Sequence, residues 1–488
     1  MFDQKLSEDF KKAQLKLEKI IRGTIEKKDT ETAMQAINAL SIMYYHFNQK
    51  FRDDFIEDSI LKVSDVLNNT YHPDQSAELR DDTILFYDSF GLDSRGLACI
   101  YLKALVGSGL HVVYVTNRKS DGKQPMIAKI LKAENATVEY IDRENGYLST
   151  AEQLIRLFEK YHAKHAFEYN QPWDVSGIAV FSMFKNTLRY KINLTDHAFW
   201  TGVDAFDYVI EFRDFGASVS RDHRGIAPGR QLMLPYYPYR DHDVAFKGLP
   251  FDENKRFIFT GGSLYKTLGE GNIYYKMIAH MLTTDPELLF LYAGSGDDSQ
   301  MKILAGQFEG RVIHIAERPD FYHIMQRCLF YVNSFPIVGG LMTQYAVTAG
   351  KIPLTINHGG RAEGLLLDSE NGDVFTMFTN ENDLLAEADK LLTDEAYLKQ
   401  QSERVKKLVI SEERFADELQ SILAQQKTGY AIRYREFDYE SLHEEYRYAF
   451  ERKHIDNAIA NAENKKLIRY FPLFFIKKVK NRILKKKK

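Results

Sequence analysis

The chain has 488 residues, of which 44% are hydrophobic, 27% charged and 13% aromatic, and its formal net charge is −3. That is ordinary globular composition at a length that calls for several domains, which excludes a collagen-like or disordered chain. Two cysteines, Cys99 and Cys328, exclude a disulfide scaffold and a cysteine-rich zinc site, and fit a reducing, cytoplasmic compartment.

The first residues, MFDQKLSEDFKKAQ, are charged and helical in pattern and lack the apolar core of a signal peptide. No apolar run approaches the ~20 residues a membrane-spanning helix needs. Apolar residues recur at helical spacing through Ala33, Ile37, Leu40 and Met43, and no proline precedes Pro73. This predicts a small antiparallel helical domain over residues 1–78, a candidate surface for self-association into a homo-oligomer or for acceptor binding. YHPDQSAELRDD reads as the linker that follows.

Residues 79–245 change pattern. TILFYDSF is a buried strand ending in the turn GLDSRG; the helix LACIYLKALVGSG and the strands HVVYVTN and ATVEYID come next, and GIAVFSMF, KINLTDHAF and DYVIEF read as further strands. Alternation of strands with helices implies a parallel sheet. A second alternating block fills residues 246–425, with strands RFIFTG, LLFLYAGSG, RVIHI, LFYVNS and IPLTI and helices between them. The fold class is therefore α/β: two Rossmann-like doubly wound domains with a cleft between them, preceded by helices and followed, from residue 426, by a charged helical extension.

Ligands of parallel sheets sit beyond the carboxyl ends of strands, and the second block has glycine-rich chemistry there. In FTGGSLYKT, Gly261 and Gly262 permit a tight turn, while Ser263 and Lys266 can donate to phosphate oxygens. In NSFPIVGGLMTQYAVTAG, Asn333 and Ser334 end a strand and Gly339–Gly340 open a helix whose N–H groups and dipole attract anions; Thr343 adds a hydroxyl one turn in. In INHGGRAEG, Glu363 follows Gly359–Gly360 at a distance that suits a carboxylate accepting both hydroxyls of a ribose. Each motif also has a plain structural reading, as a turn, a helix start or a dipole-favoured carboxylate.

Their order and spacing resemble the C-terminal domain of GT-B glycosyltransferases, over residues 255–423. The resemblance rests on Gly262, Lys266, Gly294-Ser295-Gly296, Asn333-Ser334, Gly339-Gly340, Gly359-Gly360-Arg361-Ala362-Glu363 and Asn371-Gly372. It implies that Lys266 and the Gly339–Thr343 helix start hold the diphosphate of a nucleotide-sugar donor, expected to be a UDP-sugar, that Glu363 holds the ribose, and that Arg318 lies near the base. The chain departs from the retaining members, whose paired glutamates would fall at Ile337 and Tyr345. FPIVGGLMTQYA is closer to the helix start of inverting, O-GlcNAc-transferase-like enzymes.

An inverting transfer needs a general base from the first domain and no metal or other cofactor, because a helix dipole and a lysine can stabilise the leaving diphosphate. The candidates are His197, beside Asp196 in NLTDHAFW, and Asp93, which with Asp88 flanks the first turn; Arg95 could bind an anionic acceptor. Their plain readings are a hydrogen-bonded loop histidine and turn or N-cap carboxylates. Asp241 and Asp243 read as a solvated loop, and His358 has no second histidine at ligand spacing.

Residues 465–488 carry eleven basic side chains and no acid; taken from the overall −3, they leave −14 on the remainder. Ile468, Phe471, Phe475, Val479 and Ile483 form an apolar stripe with basic flanks, a pattern that lies on an anionic membrane surface. Its aromatic cluster argues against a nucleic-acid contact. The expectation is a cytoplasmic, peripherally membrane-associated transferase of the hexosyltransferase type, acting in polysaccharide biosynthesis on a glycan, lipid-linked or protein acceptor. The alternatives are a silent GT-B homologue that partners an active transferase, and a GT-B-fold sugar-nucleotide epimerase.

Overall fold

The computed structural model describes residues 4–47, 50–91, 97–240, 243–360, 362, 364–367, 376–439, 475–476, 479–480 and 483. Three helices open the chain: α1 (Gln4–Glu26), α2 (Thr30–Phe47) and α3 (Asp54–Tyr71). The first α/β unit then runs β1 (Arg80–Asp88), α4 (Leu97–Gly107), β2 (His111–Asn117), α5 (Pro125–Ile130), β3 (Ala136–Ile141), α6 (Tyr147–Tyr161), β4 (Ala163–Tyr169), α7 (Val175–Met183), β5 (Leu188–Ile192), β6 (Tyr208–Glu211), α8 (Asp214–Arg224) and β7 (Gln231–Met233). The second runs β8 (Phe257–Gly261), α9 (Ile273–Thr284), β9 (Leu289–Ala293), α10 (Ser299–Gln307), β10 (Val312–Ile315), α11 (Phe321–Arg327), β11 (Tyr331–Val332), α12 (Gly340–Thr348), β12 (Pro353–Ile356) and β13 (Met377–Phe378), then α13 (Glu381–Thr393), α14 (Glu395–Val405) and α15 (Glu412–Gln425).

Both sheets are parallel and share one winding. The first has the order β3-β2-β1-β4-β5-β6-β7 and the second β10-β9-β8-β11-β12-β13. Each reverses direction at its first strand, as doubly wound Rossmann-type sheets do. From Thr83 onward β1 is buried on both faces, as a strand covered by helices must be. Because side chains alternate, Leu85 and Tyr87 enter one core with α6 and α7, and Ile84 and Phe86 enter another with α4.

Four expectations are corrected by this packing. First, α1–α3 are not a separate body: Leu17, Ile37, Leu40, Ile60 and Val63 share one core with Leu85, Phe158 and Ile178 of the α/β unit. Second, GIAVFSMF is not a strand. It lies in α7, started by the Asp174 carboxylate, which accepts the Gly177 N–H at 3.4 Å. Every residue of α7 is buried, so its sequence lacks helical periodicity. The strand is β4 instead, disguised by Lys164, His165 and Glu168.

Third, α15 belongs with the first unit by its contacts, not the second. Phe415, Leu419 and Ile422 pack into the α4 core, Phe415 meets Tyr101 edge-on at 5.2 Å, and Lys103 pairs with Glu412 at 2.5 Å. Fourth, residues 426–438 are not helical. They form a strap along α8, with the Arg433 N–H on Asp214 (3.0 Å) and the Arg435 N–H on Ser218 (3.1 Å). Phe437 stacks edge-on against Phe215 at 5.2 Å and Tyr439 against His223 at 4.0 Å.

Candidate functional site

At the carboxyl end of β8, Gly262 has φ +128°, a backbone region open at little strain only to glycine. Its N–H donates to Ala293 O at 3.0 Å and its carbonyl accepts the Tyr292 hydroxyl at 3.1 Å. Gly294, at the end of β9, presses on the same carbonyl: a Cβ there would stand 1.8 Å from Gly262 O. The Leu264 N–H closes the contact on Ser295 O at 3.0 Å. The two glycine turns are thus one interlocked unit, which carries Ser263 and the half-buried Lys266 on a short 3-10 turn. The Lys266 carbonyl accepts the Ile337 N–H at 3.2 Å, tying this unit to the next turn.

That next turn is organised by Asn333. Its Oδ1 accepts the N–H groups of Ser334 and Gly339, both at 3.0 Å, and its Nδ2 donates to Thr343 Oγ1 (2.6 Å) and Thr355 Oγ1 (3.1 Å). Its Oδ1 thus folds residues 334–339 back onto the end of β11 while its Nδ2 ties α12 and β12 to the same point, and Asn333 itself is 2% exposed. Gly339 precedes α12 without any side-chain cap, so the positive end of that helix is left to backbone N–H groups. Thr343 is fully buried and also donates to Gly339 O at 3.0 Å; its hydroxyl holds the turn together from inside.

Gly359 and Gly360 follow β12 with φ of +64° and +77°, and Asn357 Oδ1 accepts the Ala362 N–H at 2.8 Å. Glu363 lies outside the described residues, as do Asp93, Arg95, Arg361, Asn371, Gly372 and Asp241. Asp243 is an exposed surface partner of Lys129. Arg318 forks onto Asp320 at 2.8 and 2.5 Å, and Asp320 also accepts the Lys247 N–H at 2.8 Å. Arg318 thereby anchors the connection between the two units, with its side chain 20% exposed.

In the first unit His197 lies on the long connection from β5 to β6. Its Nδ1 stands 3.3 Å from Asp196 Oδ1, and Arg213 forks onto Asp196 at 2.5 and 2.9 Å. Burial pushes the Asp196 carboxyl up, but Arg213 and His197 outweigh it and hold it well below the usual carboxylate range. Asp88 is a turn residue: its Oδ1 accepts the N–H groups of Phe90 and Gly91, both at 2.9 Å, and its Oδ2 the Tyr114 hydroxyl at 2.6 Å. Burial raises its pKa to about 6.

The two sides touch. A Cβ on Gly364, in the loop after Gly359–Gly360, would be 2.5 Å from Asp214 N and 3.0 Å from Arg213 Cα. A Cβ on Gly340, at the start of α12, would be 3.7 Å from the Tyr236 hydroxyl, and Tyr236 meets Phe212 edge-on at 5.0 Å. The path Gly340–Tyr236–Phe212–Arg213–Asp196 therefore leads from the open helix start to His197 across one seam. Sequence reasoning missed Arg213 and Arg224, which grip the His197 loop. The available signal was an arginine directly after the strand DYVIEF, followed by a glycine in the first turn of a helix.

No protein family model matches the chain, and no curated protein matches it. Solved structures do. A crystal structure of TarM is similar with a TM-score of 0.53 at 10% identity, covering 72% of this chain and 100% of TarM. A point mutant of S. aureus TarM, in complex with fondaparinux, alpha-GlcNAc-glycerol and UDP, scores 0.51 at 10% identity over 70% of this chain and 100% of its own. A mutant O-GlcNAc transferase of Thermobaculum terrenum covers 91% of this chain and 83% of its own at 13% identity and a TM-score of 0.45. Two doubly wound parallel sheets facing each other across one seam, with the last helix returning to the first unit, give this chain the GT-B fold.

Proposed function

We propose that the protein is a glycosyltransferase that moves a sugar from a nucleotide-sugar donor to an acceptor hydroxyl with inversion at the anomeric carbon. The observation that carries the reading is the contact between the two units, where Gly340 at the uncapped start of α12 lies against Tyr236 and Gly364 lies against Arg213, the residue that forks onto Asp196 beside His197. The donor diphosphate would lie on the first-turn N–H groups of α12 and on Lys266, the ribose on Glu363, with Arg318 toward the base. The S. aureus TarM complex holds UDP, which favours a UDP-sugar here. The acceptor oxygen attacks the anomeric carbon while its proton passes to His197. The bond from that carbon to the diphosphate oxygen breaks, and the nucleoside diphosphate leaves with the electron pair. An imidazole that donates Nδ1–H to Asp196 presents Nε2 as its accepting nitrogen. Helix dipole and Lys266 stabilise the leaving diphosphate, without a metal.

The tail supports a membrane-surface location. No helix among the described residues is long and apolar enough to cross a membrane. Ile476, Val479 and Ile483 expose 59%, 41% and 53% of their surface, beside the basic flanks of residues 465–488. This favours an anionic bilayer surface, and with it a lipid-linked glycan acceptor at the cytosolic face.

The test is binding and hydrolysis of a panel of nucleotide sugars by wild type, Lys266→Ala, Glu363→Ala and His197→Ala. The reading predicts one bound donor, slow hydrolysis to the inverted sugar, loss of binding in the first two variants and loss of turnover alone in the third. Binding without turnover in the wild type, with any acceptor fraction supplied, would instead identify a silent partner protein. No binding at all overturns the donor site.

A further inference from the structure

His197 stands in a stretch, residues 193–207, that contains neither helix nor strand. A loop of that length does not by itself hold a side chain to within the ~0.5 Å that reacting groups require. Two arginines that bracket α8 hold it from either side. Arg224, the last residue of α8, is fully buried. Its Nη2 donates to the carbonyls of Thr195 (3.3 Å), Asp196 (2.9 Å) and Ala198 (2.7 Å), the residues around His197. Its guanidinium lies 5.1 Å from the Trp200 ring and 5.2 Å from that of Phe51. Arg213, just before α8, forks onto Asp196 as described.

Two glycines make this grip possible and connect it to the donor side. Gly216, in the first turn of α8, lies against Asp196: a Cβ there would fall 2.8 Å from both Asp196 Cβ and Oδ2. Gly364, in the second unit, rests its backbone on Arg213 and Asp214. The arrangement is expensive as pure architecture. A fully buried guanidinium suffers heavy desolvation, burial pulls the Arg224 pKa down to about 10, and its Nε meets no acceptor among the described residues. A hydrophobic residue of similar volume would avoid that desolvation but leave the carbonyls of Thr195, Asp196 and Ala198 without their donor, so the fork geometry itself is what the site retains.

We propose, resting on the transferase reading, that Arg213 and Arg224 are positioning residues. They fix the backbone and the Asp196 partner of His197, and through Arg213 they set that loop against the donor-domain loop at Gly364. In that role neither holds the donor, so each acts on turnover and not on donor binding. A lysine at either position keeps the charge but loses the fork, and the resulting shift of His197 by about 1 Å costs on the order of 100-fold in rate.

The experiment measures donor hydrolysis at saturating nucleotide sugar, and donor Kd by calorimetry, for Arg213→Lys, Arg224→Lys and His197→Ala beside wild type. The expected result is a fall in kcat of roughly 100-fold in both lysine variants with Kd changed less than about twofold. Should Arg224→Lys not fold, Arg213→Lys, at the rim of the loop with its side chain 10% exposed, decides alone. A kcat within about twofold of wild type in the lysine variants, while His197→Ala is inactive, overturns the inference and leaves the transferase reading standing. Full activity of His197→Ala overturns both.

Discussion

Replacing Gly364 with alanine drives a methyl group into the seam between the two units. The new Cβ would meet Asp214 N at 2.5 Å and Arg213 Cα at 3.0 Å, both parts of a backbone that cannot swing aside, and Gly364 has φ +74°. An L-residue in that region costs about 1 kcal/mol before any contact is counted. Restoring ordinary van der Waals separation requires the donor-domain loop and the α8 start to part by about 1 Å, a displacement that costs on the order of 100-fold in rate at a reacting centre. That is about 2.7 kcal/mol of transition-state stabilisation. The assay is nucleotide-sugar hydrolysis together with a thermal melt, with Gly306→Ala as the control. Gly306 lies on exposed α10, nothing stands within 4 Å of a Cβ there, and alanine should stabilise that helix by up to about 1 kcal/mol. The expected pattern is a large loss of turnover for Gly364→Ala with a melting temperature close to that of wild type. Equal turnover in Gly364→Ala and wild type would refute the contact between Gly364 and α8 as a feature of the working enzyme.

Removing the Asn333 side chain in Asn333→Ala leaves the Gly339 N–H and the Thr343 and Thr355 hydroxyls without their shared partner. The loss should be about 2–4 kcal/mol in urea unfolding, with donor Kd weakened at least roughly tenfold as the α12 start loses register; an unchanged Kd would detach that helix start from donor binding. Burial raises the pKa of Glu57, Glu168 and Glu211 to about 7 each. The folded chain therefore keeps protons that the unfolded chain releases near its ordinary value, so this stability is full below about pH 4.5 and is lost as pH rises toward about 7. Glu57→Gln keeps an oxygen for the Gly202 N–H, now at 2.9 Å, and should stabilise the protein at pH 8 by up to about 3 kcal/mol, but not at pH 4.5; parallel melting curves across pH would refute the shift. Deleting residues 465–488 should abolish sedimentation with phosphatidylserine vesicles and leave donor hydrolysis intact; retained sedimentation would move the membrane contact elsewhere on the chain.

The glycine turns of the second unit were readable because β8 and β9 are largely apolar runs that stop at a glycine, and local backbone geometry dictates both features. Asn333, Gly339 and Thr343 were legible as neighbours, but not the inward direction of Thr343, which depends on the Asn333 amide. The first unit hides its logic. In α7 an all-buried helix looks like a strand, and in β4 the buried Glu168, paired at 3.1 Å with Lys191 of β5, looks like a surface residue. The strap at 426–438 has no periodicity to announce it, because it is held by backbone N–H groups and the Phe437 ring meeting α8 more than 200 residues away. The partners of Arg213 and Arg224 were hidden for the same reason: they are chosen by how α8 packs, not by spacing.

The positions where retaining relatives place their acids bear on the chemistry available to this chain. Ile337 is 5% exposed; its N–H binds Lys266 O at 3.2 Å and its carbonyl accepts the Ser334 hydroxyl at 2.7 Å. Tyr345 donates its hydroxyl to the Tyr239 carbonyl, in the connection between the units, and its ring meets Phe321 edge-on at 4.7 Å. A carboxylate at 345 would face that carbonyl as a second acceptor inside an apolar pocket, and an uncompensated buried charge costs several kcal/mol. One position thus braces the donor turn and the other pins the domains together. In the proposed transfer, with the second unit's contribution reduced to holding an anion, the group that takes the acceptor proton has to come from the facing unit. A loop held for that task there, gripped by Arg224 along its backbone and by Arg213 through Asp196, is the one that carries His197.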